Sequence, residues 1–150
     1  MSFDNNTPDK NGEFLVDHVA VTVSDLDRSI EFYTRNFGFE CQRIVPLRGN
    51  GRVAVLRGAG FAIEMFAPDG ALPLPGDRRT PDADLKTIGV KHFALHVVDI
   101  LAASDLLKAN GVEFISEVMV GVRGVRRFFV RDPDGTPIEV TESSPHVENL

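Results

Sequence analysis

DHVAVTVSDL at residues 17–26 and KHFALHVVDI at residues 91–100 decide the fold, because the second stretch repeats the first. FAIEMFAP at 61–68 is matched in the same way by TPIEVTES at 136–143. Superposition places His18 on His92 and Glu64 on Glu139, and the two spacings agree within a residue. Agreement of that kind at two separate places is the signature of an internal repeat rather than of shared composition.

The elements follow on either side of these stretches. In 16–23 (VDHVAVTV) His18, Ala20 and Thr22 alternate with Val19, Val21 and Val23, which predicts a strand with its valine face toward the core. Ser24 or Asp25 caps a helix in which Leu26, Ile30, Tyr33 and Phe37 recur at helical spacing, and Gly38 stops it. Strands are expected over 39–47 and 52–57, around the Gly49, Asn50, Gly51 turn, and over 61–67. The order then recurs as a strand at 90–98, a helix at 99–110 ended by Gly111, and strands at 112–118, 125–131 and 137–141. Both halves read βαβββ, an α+β fold of two modules.

The chain has 150 residues, 43% of them hydrophobic and 25% charged, as expected of one compact domain. That domain is expected over 14–142, as modules 14–67 and 90–142 joined by a Pro- and Gly-rich linker at 68–89. A mobile tail is expected over 1–13 and a C-terminal tail over 143–150. Sixteen Lys and Arg against 22 Asp and Glu give a net charge of −6, the wrong sign for a nucleic-acid partner. Apolar runs are strand-sized and no signal peptide or membrane span is expected. The single cysteine, Cys41, is read as a small core or strand residue in a cytoplasmic protein.

The repeat has a chemical consequence. Two similar modules packed about an approximate two-fold axis bring matching residues toward one point. Glu64 lies between Ile63 and Met65, and Glu139 between Ile138 and Val140, so two carboxylates would face each other in apolar strands. Burying a carboxylate costs several kcal/mol unless it is paired or binds a metal. Two imidazoles and two carboxylates suit a divalent cation, Ni, Co, Zn, Mn or Fe(II), so His18, Glu64, His92 and Glu139 are expected to be its ligands.

At these residues the chain resembles the vicinal oxygen chelate superfamily, which includes glyoxalase I, methylmalonyl-CoA epimerase, extradiol dioxygenases and the fosfomycin and bleomycin resistance proteins. The likeness runs from Val16 to Glu142, through HVAVTVSDLDRSIEFYTRNFGF, IEMFAP, GVKHFALHVVDI and FFVRDPDGTPIEV. It implies a cup-shaped mixed sheet with helices outside, and it puts the four family ligand positions on His18, Glu64, His92 and Glu139. It also implies a homodimer, with the modules paired within one chain or exchanged between two.

Departures from the family patterns narrow the branch. The arginine that bacterial glyoxalase I enzymes place four residues after the first ligand is Thr22 here, and their asparagine four after the first glutamate is Pro68. The stretch 52–57 lacks the carboxylate of methylmalonyl-CoA epimerases, Phe129 stands where extradiol dioxygenases have Tyr, and 112–131 contains no His. The resulting expectation is a metal-dependent isomerase, lyase or epimerase of glyoxalase I type. It would act on a small carbonyl compound through an enediolate, with Glu139 or Glu64 moving the proton and His96 as the alternative base. The other expectations are a metal-free protein that binds an antibiotic or metabolite, of bleomycin-resistance type, and an Fe(II) ring-cleaving dioxygenase. Among Arg123, Arg126 and Arg127, one is a candidate for binding a substrate carboxylate or phosphate. Arg78 and Arg79 are read as solvent-exposed, and His146, in a polar C-terminal tail, is not expected to be a ligand.

Overall fold

A computed structural model of the chain describes residue 12 and residues 14–143. The tail at 1–13, apart from Gly12, the C-terminal tail beyond Ser143, and His146 lie outside the described residues. The chain divides into two compact units, Met1–Ala71 and Leu72–Leu150.

The first unit runs β1 (His18–Thr22), α1 (Leu26–Phe37), β2 (Glu40–Pro46), β3 (Gly51–Gly58) and β4 (Phe61–Pro68). Its sheet has the order β1-β4-β3-β2, with β1 parallel to β4 and the other pairs antiparallel. Asp25 caps α1 by accepting from the Arg28 amide at 3.1 Å, and Gly38 ends it in the left-handed region at φ 70°, where a side chain would be strained. Register sorts the faces. Val19 and Val21 pair with Ile63 and Met65, and Ile63 and Met65 are buried, as are Leu26 and Tyr33 of α1. His18, Ala20 and Thr22 pair with Ala62, Glu64 and Phe66 on the opposite face.

The second unit contains a 3-10 turn (Gly76–Arg78), α2 (Pro81–Asp84), β5 (Phe93–Val97), α3 (Ile100–Ala109), β6 (Met119–Val120), β7 (Arg126–Arg131) and β8 (Pro137–Glu142). Its sheet order, β5-β8-β7-β6, reproduces the first, again with the outer pair β5 and β8 parallel. Asp99 caps α3 by accepting from the Leu101 and Ala102 amides at 3.0 Å. Leu95, Phe128, Val130, Ile138 and Val140 form the apolar face, with Ile100 and Leu107 of α3. The repeat extends to register, since Ala20 opposes Glu64 in one sheet and Ala94 opposes Glu139 in the other. The fold is therefore α+β, two four-stranded mixed sheets of the same connectivity.

Three details differ from expectation. The strand expected at 112–118 is reduced to one bridge, Phe114 with Val130. There the Ser116 hydroxyl accepts from the Phe129 amide at 3.0 Å, replacing the carbonyl that a continuing strand would present. The last strand pairing of this sheet is displaced to Met119 and Val120. His92 immediately precedes β5 rather than lying within it. The segment read as a linker also carries structure: Asp84 at the end of α2 is only 2% exposed and bonds Lys91 at 3.2 Å and Arg78 at 3.3 Å. No helix among the described residues is long and apolar enough to cross a membrane.

Candidate functional site

In the first unit the pair is built by parallel register. Glu64 stands opposite Ala20, and His18 is two residues before Ala20 on the same face, so the two side chains meet diagonally. His18 Nε2 lies 3.7 Å from Glu64 Oε2. His18 Nδ1 donates to Asp17 Oδ2 at 2.8 Å, because a carboxylate at that distance can only accept. This bond, joined by the Glu64 charge, holds the His18 pKa above its ordinary value, and the same bond from His18 holds the Asp17 carboxyl below its own. With Nδ1 carrying its proton, Nε2 is turned toward Glu64 as a lone pair or as an imidazolium N–H. An imidazolium N–H would point at the Glu64 carboxylate directly, whereas a lone pair there could share a cation with it. A carboxylate behind a histidine is the usual outer support of a metal-binding imidazole.

The second unit builds its pair by the same diagonal. His92 Nε2 lies 3.1 Å from Glu139 Oε2, and the edge of the Phe129 ring meets the His92 ring with centroids 5.0 Å apart. Glu139 is 16% exposed and Glu64 35%, so the first carboxylate is less buried than the apolar strand sequence suggested. Glu139 has a further neighbour, Arg127 Nε at 3.5 Å from Oε1. Asp17 has no counterpart here, since its repeat mate is Lys91, which bonds Asp84 and the Thr87 carbonyl instead.

These residues fit a divalent ion as donors. Nitrogen and oxygen ligands about 2.1 Å from one ion stand roughly 3.0 to 3.4 Å apart, depending on geometry. The separation in the second unit falls in that range, and the first is a few tenths of an ångström longer. The structure brings together His18 with Glu64 and His92 with Glu139. Among the described residues it gathers no group of three or more His, Cys, Asp or Glu that could hold an ion.

The remaining candidates separate by strand parity. His96 is exposed, in one cross-strand row with Thr141 and Arg127 on the face that carries Glu139. Thr22 occupies the matching place in the first sheet, opposite Phe66. Arg126 points to the other face and is held by Glu142, with Nε 2.7 Å from Oε2, while Arg123 is exposed in the turn. Cys41 is a strand residue, exposed rather than in the core. Arg79 is exposed, with its backbone carbonyl accepting from Arg131, whereas Arg78, expected to be exposed, is half-buried because it bonds Asp84 and the Val90 carbonyl. Asp17 is the site residue to which sequence reasoning gave no role, and its adjacency to His18 was the available signal.

The chain is similar to known proteins in sequence and in fold. Residues 15–140 match the family model of the Glyoxalase/Bleomycin resistance protein/Dioxygenase superfamily. A 2-epi-5-epi-valiolone epimerase from an Actinomyces species is 33% identical over 126 residues, 71% of this chain and 64% of that protein. A probable lactoylglutathione lyase of Vibrio parahaemolyticus is 31% identical over 134 residues, covering 89% of this chain and 92% of its own. The crystal structure of a glyoxalase family protein from Enterococcus faecalis superposes with a TM-score of 0.73 at 26% identity, covering 85% of this chain and 97% of that one. Relatives range in size, so the chain spans nearly all of the Vibrio protein but less than two thirds of the epimerase.

Proposed function

Because the chain belongs to the Glyoxalase/Bleomycin resistance protein/Dioxygenase superfamily, we propose that it is a divalent-metal-dependent isomerase, lyase or epimerase acting on a small carbonyl compound. The observation that carries the reading is the recurrence of one His and one Glu, at the same register, in both sheets. On this reading His18, Glu64, His92 and Glu139 are the ligands of one ion, Ni, Co, Zn, Mn or Fe. When bound, such an ion supplies Lewis-acid polarisation of a substrate carbonyl, which favours loss of a neighbouring proton through an enediolate.

The chain's own residues then have distinct tasks. Asp17 orients His18 through Nδ1 and keeps Nε2 directed at the ion position. Glu139 is the base that takes and returns the proton at its carboxylate oxygens, because its protein neighbours, His92 and Arg127, sit at different oxygens and leave lone pairs for substrate. Glu64 is the repeat-related second base, and exposed His96 is the route by which a proton exchanges with solvent. Phe129 has no hydroxyl to serve as an acid, which weighs against ring-cleaving oxygenation. The Arg127 contact to Glu139 favours a second reading, a metal-free binder in which a guanidinium stands where a cation would.

Solvent-deuterium exchange into small α-hydroxycarbonyl compounds, followed by NMR on protein loaded with each metal, tests the reading. The loaded protein is expected to exchange the proton next to the carbonyl. Glu139→Gln is expected to slow exchange about 100-fold or more with unchanged circular dichroism. Near-normal exchange in that variant overturns the assignment.

A further inference from the structure

Arg127 has a setting that pairing with Glu139 does not account for. Its Nε is 3.5 Å from Glu139 Oε1, a long contact, and its guanidinium carbon lies 4.9 Å from the centroid of the Phe129 ring. The side chain is 23% exposed, and its contact with Glu139 is made through Nε, which leaves the two terminal nitrogens directed away from that carboxylate's pairing. A guanidinium carries five donors in a rigid fork, and no nitrogen of Arg127 is both buried and unpaired, so its terminal nitrogens are open to an acceptor from solution. The fork is therefore supplied with a platform and a direction.

The backbone makes room for this arrangement. A Cβ built on Gly121 would lie 2.5 Å from Arg127 Nε and 2.6 Å from Cδ, so the arginine crosses the chain where a side chain is missing. Strand parity does the rest. Arg127, Phe129, Glu139 and Thr141 occupy one face, whereas Arg126 on the other face is already held by Glu142. The first sheet has nothing comparable, because Val53 and Val55 take the register positions of Arg127 and Phe129 beside Phe66 and Glu64. The repeat is thus broken at Arg127, which stands beside Glu139 on a face whose other arginine of that strand, Arg131, is already held by Glu113 and the Arg79 carbonyl.

We propose that Arg127, laid across Gly121 and over Phe129, is a specificity residue that binds a carboxylate of the substrate, so that the compound accepted at the Glu139 face is an anionic hydroxy or keto acid. The planar fork matches a carboxylate through two parallel hydrogen bonds, a fit that a point charge such as lysine lacks. The inference rests on the reading of the His92 and Glu139 face as the substrate site.

The test measures dissociation constants of glycolate and of its uncharged amide, glycolamide, by ligand-observed NMR, with and without bound Zn, in wild type, Arg127→Leu and Gly121→Ala. Zinc uptake and circular dichroism are recorded on the same samples. Wild type is expected to prefer glycolate, and Arg127→Leu to cut that preference about tenfold or more. Gly121→Ala, which keeps the arginine but displaces it, is expected to reduce the preference in the same direction. Should Arg127→Leu fold poorly, Gly121→Ala carries the test, since the atom it crowds belongs to a flexible side chain. An undiminished preference in both variants overturns the proposal while leaving the metal reading in place. A preference that depends on Arg127 in a protein that takes up no zinc upholds the carboxylate site and removes the metal reading. If inorganic phosphate displaces glycolate more strongly than acetate does, the carboxylate assignment is overturned in favour of a phosphate.

Discussion

Asp17 sets the behaviour of His18 more directly than any residue of the sheet interior. Its carboxylate fixes the Nδ1 proton, and together with Glu64 it holds the imidazole pKa above the ordinary value. Asp17→Asn removes the charge but keeps an acceptor, so the ring stays in place while its basicity falls. The expected result is a loss of about 10- to 100-fold in metal affinity by competition titration, with the fold unchanged; unaltered affinity would mean that Asp17 plays no part in the site. At this scale the sequence was informative where the repeat doubled it. His18, Glu64, His92 and Glu139 could be singled out because each has a mate. Asp17 could not, since its mate is a lysine that serves Asp84. Nor could Arg127 be chosen from its two neighbouring arginines, because the choice depends on strand parity and on space above Gly121.

Helices and their caps were the legible elements. Asp25, one of the two expected caps, with Gly38, and Gly111 after the second helix mark ends that local hydrogen bonding enforces, while Asp99, expected as the first helical residue, is itself the cap. The strand expected at 112–118 was not realised, because alternation cannot report that the Ser116 hydroxyl takes over a ladder position. The Pro- and Gly-rich segment misled in the other direction. Its composition reads as solvated chain, yet α2 delivers Asp84 to Lys91 and Arg78, and Lys91 adjoins His92. Burial pushes the Asp84 carboxyl up, and the hydrogen bonds and charges of Lys91 and Arg78 outweigh it, holding the group below its ordinary range. A lowered carboxyl pKa adds stability above the unfolded value, about 3.9 for aspartate, which is lost as pH falls through the lowered folded value. The amide resonances of Thr87 and Lys91 are therefore expected to keep their folded positions down to about pH 3.9 and to lose them only below it. In Asp84→Asn that acid step is expected to be absent. A wild-type transition centred above that pH would contradict the clasp.

Across the whole molecule, the repeat is the feature on which both fold and chemistry depend. Two sheets of identical order, each with its parallel outer pair, present one His and one Glu at corresponding registers. The connectivity was legible because helix periodicity, strand alternation and repeat all pointed the same way. The divergence between the halves was not, because it arises from side-chain placement: Asp17 supports the first histidine, and Arg127 attends the second glutamate. The most direct test of the account is the metal content of purified protein after equilibration with Ni, Co, Mn and Zn, compared with His18→Ala, Glu64→Ala, His92→Ala and Glu139→Ala. The expected result is about one ion per chain in wild type, lost in every variant, since two donors from one half alone bind weakly. Less than about a tenth of an ion per chain in wild type, or full uptake surviving loss of either histidine, would contradict the proposed four-residue ligand set.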